Sequence, residues 1–133
     1  MLRIPVWVAA LWWCSLSVIG FLVVPLLFMH LPTPALAGSA AARLFSAQTW
    51  VSLVCGLLLL LSARSNRATA RVPLLSAALV FIVAGMLLAL LSEFAVAPRI
   101  VARENLRLWH SMGSAMFGLQ WVCAGVVFWK LTP

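Results

Sequence analysis

Four long apolar runs make up most of the chain, and short segments rich in proline, glycine or arginine separate them. The runs cover residues 4–29, 40–62, 73–95 and 108–131. A helix needs about 20 apolar residues to cross a bilayer, so each run is long enough for one crossing. The pattern predicts an all-α fold: a four-span transmembrane helical bundle that forms a single integral membrane domain over residues 1–133.

The first two separators are predicted to be short connections. The first contains three helix-breaking residues, Pro32, Pro34 and Gly38, and is expected to form a loop of about ten residues. The second contains three basic residues and no acid, Arg64, Arg67 and Arg71. It is predicted to be a compact basic turn, after which Pro73 suits the first turn of the third helix.

The third separator differs because its helical pattern continues after the apolar run ends. Residues 93–108 contain no glycine, and Arg99, Arg103 and Arg107 follow one another at four-residue spacing. Such spacing places side chains on one helix face. We therefore expect the third helix to extend beyond the bilayer, with a kink at Pro98.

The start of the chain resembles a secretory signal in two respects. Arg3 forms a short positive region, and Ala35, Leu36 and Ala37 before Gly38 resemble a cleavage site. The apolar run is longer than the about 7 to 15 residues of a signal core. An uncleaved spanning helix is therefore expected.

Composition supports a membrane protein. The chain is 65% hydrophobic and 8% charged, whereas soluble domains are about 25% charged. The net charge of +7 comes from basic residues beside the apolar runs, where they orient the protein and contact anionic headgroups. The expected partner of these charges is the lipid bilayer, and no nucleic acid partner is expected.

The distribution of basic residues predicts the orientation. Four spans place both termini on one side, and this side receives five basic residues, Arg3, Arg64, Arg67, Arg71 and Lys130. The other side receives Arg43, Arg99, Arg103 and Arg107. Because basic residues concentrate in cytoplasmic loops, we expect cytoplasmic termini in a bacterial cytoplasmic membrane.

The two halves of the chain share a weak repeat. Residues 21–25, FLVVP, resemble residues 94–98, FAVAP, at a spacing of 73 residues. Three residues of the first half, Ser39, Phe45 and Gln48, match Ser111, Phe117 and Gln120 at a spacing of 72. Two spans per half would make a parallel two-helix repeat, although apolar helices also resemble one another by chance.

The polar residues at the predicted outer end form the candidate site. His30 ends the first span and His110 opens the fourth, so both are candidate metal ligands. The accompanying polar cluster consists of Arg43, Glu93, Arg99, Arg103 and Glu104. Ionisable residues near spans often face a bundle interior or mark a pathway. The alternative is a solvated helix end whose arginines contact lipid phosphates.

Methionines beside the histidines suggest a sharper hypothesis. Met29 precedes His30, while Met112 and Met116 follow His110, and copper(I) favours thioether and imidazole ligands. Haem between the two histidines is a weaker hypothesis. Methionine also fills gaps in apolar interfaces, so we expect the protein to have no cofactor.

Other motifs argue against an enzyme. The cysteines, Cys14, Cys55 and Cys123, lie in apolar runs without metal-binding spacing. The only acids, Glu93 and Glu104, are 11 residues apart, which is too far for paired catalytic carboxylates on one helix turn. No phosphate loop or nucleophile elbow is present in the sequence.

Small residues and tryptophans predict where helices pack. One small-residue stripe lies on the third span, Ala78, Gly85, Ala89 and Ser92, and another lies on the fourth, Ser114, Gly118 and Gly125. Such stripes let helix backbones approach closely. Four tryptophans lie near mid-span, Trp12, Trp13, Trp50 and Trp121. They are expected to pack or to contact lipid rather than to stack on a cofactor.

Several short motifs occur together in the chain: FLVVPLLF at residues 21–28, Ala37-Gly38, Pro98 with Arg99 and Arg103, and Trp109-His110. Together they resemble the transmembrane protein 205-like family of small four-helix membrane proteins. The resemblance implies a four-span bundle and no established activity. In that family a histidine of the last helix is followed by glycine, serine and asparagine. Here Ser111 and Gly113 are in exchanged order, and Phe117 replaces the asparagine.

These observations favour a non-enzymatic membrane protein that acts as an accessory or scaffold component of a membrane assembly. Its expected partners are larger membrane proteins or further copies of the chain. The alternative is the handling of a small solute or a copper-like metal at the outer cluster, with His30 and His110 as ligands and Arg99 and Arg103 as anion contacts. A haem-binding redox subunit is the weaker alternative.

Overall fold

The computed structural model describes residues 3–65 and 72–132. These residues form four long helices connected by short segments, and the part of the chain described contains no strand. All four helices are long and apolar enough to cross a membrane. The predicted all-α, four-helix architecture is therefore confirmed, and it is that of a multi-pass membrane protein.

Two of the four helices contain a wider π-helical turn. Helix α1 covers residues 3–30 and consists of Arg3–Val18, the π-helical turn Ile19–Val23 and Val24–His30. Helix α2 covers Pro34–Ser65. Helix α3 covers residues 72–101 and consists of Val72–Leu91, the π-helical turn Ser92–Val96 and Ala97–Val101. Helix α4 covers Leu106–Leu131.

Each π-helical turn ends two residues before a proline, Pro25 in α1 and Pro98 in α3. Proline has no backbone N–H to donate to the carbonyl four residues earlier. The residue before it instead bonds five residues back: Val24 N–H donates to the Ile19 carbonyl, and Ala97 N–H donates to the Ser92 carbonyl. The irregularity predicted at Pro98 is thus a wider, π-helical turn before this proline, and α1 contains the same kind of turn before Pro25.

Helix α2 begins at Pro34, six residues before the predicted start at residue 40. Proline is tolerated in a first helical turn because the N–H groups there have no intrahelical partner. The Thr33 hydroxyl accepts a hydrogen bond from Leu36 N–H at 3.3 Å. Gly38 therefore lies inside the helix rather than in a loop, and Arg43 lies in its third turn.

The predicted helix through residues 93–108 is interrupted. Helix α3 continues past Glu93 but ends at Val101, and α4 begins at Leu106. Arg103 and Asn105 adopt left-handed backbone conformations with φ of 57° and 37°. Left-handed residues cannot continue a right-handed helix, so the chain reverses here between α3 and α4.

The helices pack as a four-membered bundle with a shared core. Helix α1 contacts α2 and α4, and helix α3 also contacts α2 and α4. The bundle core contains Trp12, Leu16, Cys55 and Val127, together with Ile82. The exchange of α1 with α3 and of α2 with α4 therefore preserves the contacts, as a parallel two-helix repeat requires.

Residues related by the repeat also meet one another in the core. The Phe45 and Phe117 rings, 72 residues apart, form an edge-to-face pair with centroids 5.2 Å apart. Trp12 lies over Gly85, 73 residues later, where an added Cβ would be 2.7 Å from the indole. These contacts support the repeat that the sequence suggested, with its axis along the helices.

The two small-residue stripes have different outcomes. On α3 the prediction is confirmed, because Ala78 and Ala89 are buried and Gly85 receives Trp12. On α4 it holds only for Gly125, whose Cα faces the Trp13 indole. Ser114 and Gly118 are exposed, and a Cβ added to Gly118 would meet nothing within 4 Å.

Candidate functional site

The strongest candidate site lies inside the bundle and contains an acidic side chain. Glu93 is half-buried, and it belongs to the π-helical turn of α3. Its carboxylate accepts a hydrogen bond of 2.7 Å from the Ser46 hydroxyl of α2. An acid within a membrane-crossing helix is costly, and π-helical turns often occur at functional sites, so this pair is a candidate for function.

A hydrogen-bonded network of neutral polar side chains lies deeper in the bundle and joins α1, α2 and α4. The Gln48 amide donates to the Ser15 hydroxyl at 3.0 Å and to the Ser52 hydroxyl at 3.4 Å. The Gln120 amide donates to the same Ser52 hydroxyl at 2.6 Å. The repeat-related glutamines thus share one hydroxyl, and this network fixes how three helices pack.

Four buried side-chain atoms have no hydrogen-bond partner among the described residues: Trp12 Nε1, Trp13 Nε1, Gln48 Oε1 and Ser92 Oγ. Gln48 is 3% exposed, and Ser92 precedes Glu93 in the π-helical turn. A buried polar group without a partner costs about 1–3 kcal/mol, so the polar interior carries unused hydrogen-bonding capacity.

The predicted metal ligands lie at the surface. Both His30 and His110 are exposed, and His30 Nδ1 contacts the Leu26 carbonyl oxygen of its own helix at 3.0 Å. Within residues 3–65 and 72–132, no three side chains of the His, Cys, Asp and Glu types come close enough to hold a metal ion. The copper hypothesis also relied on thioethers, and it stays a prediction.

The predicted polar cluster divides between interior and surface. Glu93 is the member that faces another helix, whereas Arg43, Arg99, Arg103 and Glu104 are exposed. The Arg99 guanidinium lies 4.3 Å from the centroid of the Trp109 ring. This cation–π contact links the end of α3 to the start of α4.

The cysteines are free thiols, as the sequence suggested. Cys55 and Cys123 are buried, whereas Cys14 is exposed on the apolar surface. Cys55 belongs to the apolar core. Cys55 and Cys123 therefore fill space between helices, whereas Cys14 does not.

Sequence analysis did not single out the serines of the polar network. Ser15, Ser46 and Ser52 are common residues in apolar helices, and nothing in their spacing alone distinguishes them. The available signal was the repeat, because Gln48 and Gln120 are matched positions and polar residues are scarce within the spans.

These features define a class: small helical membrane proteins whose short bundle encloses a polar network. A family model described as "Domain of unknown function (DUF4149)" matches residues 7–109, and the chain belongs to this family. The match covers α1, α2 and α3 and ends in the first turn of α4. Comparison with curated proteins and with solved structures gives no match.

Proposed function

We propose that this chain is a non-enzymatic integral membrane protein that acts as an accessory component of a larger membrane assembly. The observation that carries the proposal is the uncovered small-residue face of α4. Ser114 and Gly118 are four residues apart, so they share a helix face, and both are exposed. Small residues at this spacing let a second helix approach closely, which is how transmembrane helices associate.

The interior supports the same proposal. Gln48, Ser52 and Gln120 bind one another, and Phe45 packs on Phe117, so the interior of the bundle is crossed by fixed contacts. A bundle whose helices are joined by internal contacts, and which leaves one small-residue face exposed, suits docking against another protein.

The test is to fill the uncovered small-residue face of α4. Gly118→Leu adds bulk where a Cβ meets nothing, so the fold is expected to persist while a docked helix is displaced. Ala47→Leu is the matched control, because Ala47 is a small exposed residue at a comparable depth of α2. The measurement is affinity purification of the tagged protein from native membranes in mild detergent, followed by chemical cross-linking.

We expect the wild type and Ala47→Leu to co-purify and cross-link with the same partner, and Gly118→Leu to lose it. If the partner proves to be a second copy of the chain, the accessory proposal becomes one of self-association. A protein that runs as a monomer in all three forms contradicts the proposal.

Glu93 favours a second candidate function, the handling of a small cation or polar solute. The supporting observation is a carboxylate between α2 and α3, bonded to Ser46 and adjacent to the unpartnered Ser92 hydroxyl. Glu93→Gln keeps the shape and removes the charge, so it is expected to abolish solute-dependent growth or uptake. Ser46→Ala keeps the charge of Glu93, so it is expected to reduce growth or uptake less than Glu93→Gln does. If both variants support growth or uptake as well as the wild type does, this function is excluded.

The membrane location, the orientation of the termini and the family resemblance are also proposals. We infer a bacterial cytoplasmic membrane location with cytoplasmic termini, supported by the basic residues of the Arg64–Arg71 segment, whose Arg67 and Arg71 lie outside the described residues. The resemblance to the transmembrane protein 205-like family agrees with a four-helix bundle. Reporter fusions after Pro133 test the orientation: a cytoplasmic reporter is active and a periplasmic one is inactive if the inference is correct.

A further inference from the structure

An apolar groove runs along the membrane-facing surface between α1 and α4. It encloses about 580 Å³, which lies within the about 300–1,000 Å³ typical of small-ligand sites. Its lining includes Trp13 of α1 and, on α4, Trp121, Val122, Phe128 and Lys130. Lys130 is the charged residue among the lining side chains.

Aromatic contacts keep the wall of this groove in place. The Trp13 ring stacks on Phe128 at 5.8 Å with an interplanar angle of 17°. It also contacts Trp121 at 5.8 Å, and Trp121 donates a hydrogen bond of 2.8 Å to the Ser17 hydroxyl. Gly125 makes room for this arrangement, because a Cβ there would lie 2.9 Å from Trp13 Nε1.

The other half of the repeat shows that such a surface can also be filled by the chain itself. Met86 corresponds to Trp13, and Gly56 corresponds to Phe128. There the flexible Met86 side chain lies on Gly56, where an added Cβ would be 2.5 Å from it. At the groove between α1 and α4, the Trp13 and Phe128 rings occupy these two positions and form its wall.

The length and charge of the groove identify its occupant. From Trp121 to Lys130 it follows nine residues of α4, or about 14 Å at about 1.5 Å per residue. This is roughly half of the about 30 Å hydrocarbon core, which is the depth of one leaflet. Lys130 lies near the C-terminal end of α4, next to Trp129. The Trp129 side chain is 80% exposed, as expected for a tryptophan that anchors a helix at the membrane interface.

We propose that this groove binds an anionic phospholipid, with one acyl chain along the Trp13 and Phe128 rings and the phosphate at the Lys130 ammonium. The inference is independent of the accessory role, because that role depends on Ser114 and Gly118. An apolar groove of leaflet depth accepts an acyl chain, and a cation at its polar end selects a negative headgroup.

The experiment compares two lipids with identical acyl chains, phosphatidylglycerol and phosphatidylcholine. Protein in mild detergent receives each lipid in turn, and native mass spectrometry records how much stays bound. We expect wild type to retain phosphatidylglycerol about fivefold better, the preference that one basic residue near an anionic lipid supplies. Lys130→Gln is expected to remove this preference, whereas Arg64→Gln, at the exposed end of α2, keeps it.

A second pair of variants tests the groove itself. Val122→Phe adds bulk to an exposed lining residue and is expected to reduce retention of both lipids. Leu119→Phe, at an exposed position of α4 that does not line the groove, is the control and should retain lipid as wild type does. Equal retention of both lipids by wild type, or retention unchanged by both Lys130→Gln and Val122→Phe, overturns the proposal.

Discussion

At the scale of single residues, identical side chains differ in importance because their neighbours differ. Gly85 lies beneath the Trp12 indole, whereas Gly118 faces open space. The sequence predicted both as parts of small-residue stripes, since glycine at helical spacing is the same signal in both places. Which stripe is covered depends on contacts between helices, which a single sequence does not display.

We predict that Gly85→Ala destabilises the protein by more than about 1 kcal/mol, although alanine favours helices over glycine by about that amount. The added Cβ would lie 2.7 Å from the Trp12 ring, and Trp12 is fully buried and has little room to move. Thermal unfolding in detergent measures the effect.

Gly118→Ala is the matched control, since its Cβ meets no neighbour. It is expected to leave the unfolding temperature unchanged or to raise it. A Gly85→Ala protein as stable as Gly118→Ala would contradict the packing of Trp12 described above.

The candidate site was predicted in part at this scale. Glu93 belonged to the predicted polar cluster, and the structure places it against Ser46. The sequence grouped Glu93 with the arginines because a four-span topology brings all of these residues to the outer end of the bundle. In the structure Glu93 is half-buried in a π-helical turn, whereas the arginines are exposed. Neither the π-helical turn nor the chain reversal at Arg103 has a reliable signature in residue type.

At the scale of helices, the apolar runs predicted the number and order of elements well, whereas the ends were less predictable. The sequence predicts that Pro34 breaks a helix, because proline usually interrupts one, but in the structure it begins α2. The end of α3 at Val101 follows from backbone conformations at Arg103 and Asn105, residues that do not forbid a helix.

We predict that Pro98→Ala converts the π-helical turn of α3 into regular α-helix. Alanine supplies the N–H that can bond the carbonyl four residues earlier, at Phe94. Removal of the extra residue from the turn rotates one end of α3 and separates Glu93 from Ser46. A short cross-linker between Ser46→Cys and Glu93→Cys measures the separation as a lower cross-linking yield.

Pro34→Ala provides the comparison, because Pro34 occupies a first turn where no intrahelical N–H bond is lost. Its cross-linking yield should equal that of the parent double-cysteine protein. An unchanged yield in Pro98→Ala would show that the widened turn does not depend on proline.

At the scale of the whole molecule, the two halves contact each other through matched residues. Phe45 and Phe117 meet at 5.2 Å, and Gln48 and Gln120 share the Ser52 hydroxyl. Helix number and hydrophobicity predicted the bundle, and the weak repeat indicated its internal symmetry. The neighbours of each helix could not be derived from the sequence, because apolar faces pack interchangeably.

We predict that Phe45→Ala and Phe117→Ala are coupled by about 0.5–1.5 kcal/mol in a double-mutant cycle of unfolding free energy. The coupling reports the edge-to-face contact between the halves. Phe128→Ala replaces Phe117→Ala in the control cycle, since it lies eleven residues further along α4, about 16 Å away. Additive effects of Phe45→Ala and Phe117→Ala would contradict the contact.

The repeat also bears on how an acid can be introduced into such a bundle. Gly20 corresponds to Glu93 at the 73-residue spacing, and Gly118 corresponds to Ser46 at the 72-residue spacing. If two copies of one hairpin formed this bundle, every buried carboxylate would occur twice, and its desolvation cost would be doubled. When one gene encodes both hairpins as a single chain, the acid can occur in one half only. The covalent link therefore allows mutation to make the interior of the bundle asymmetric.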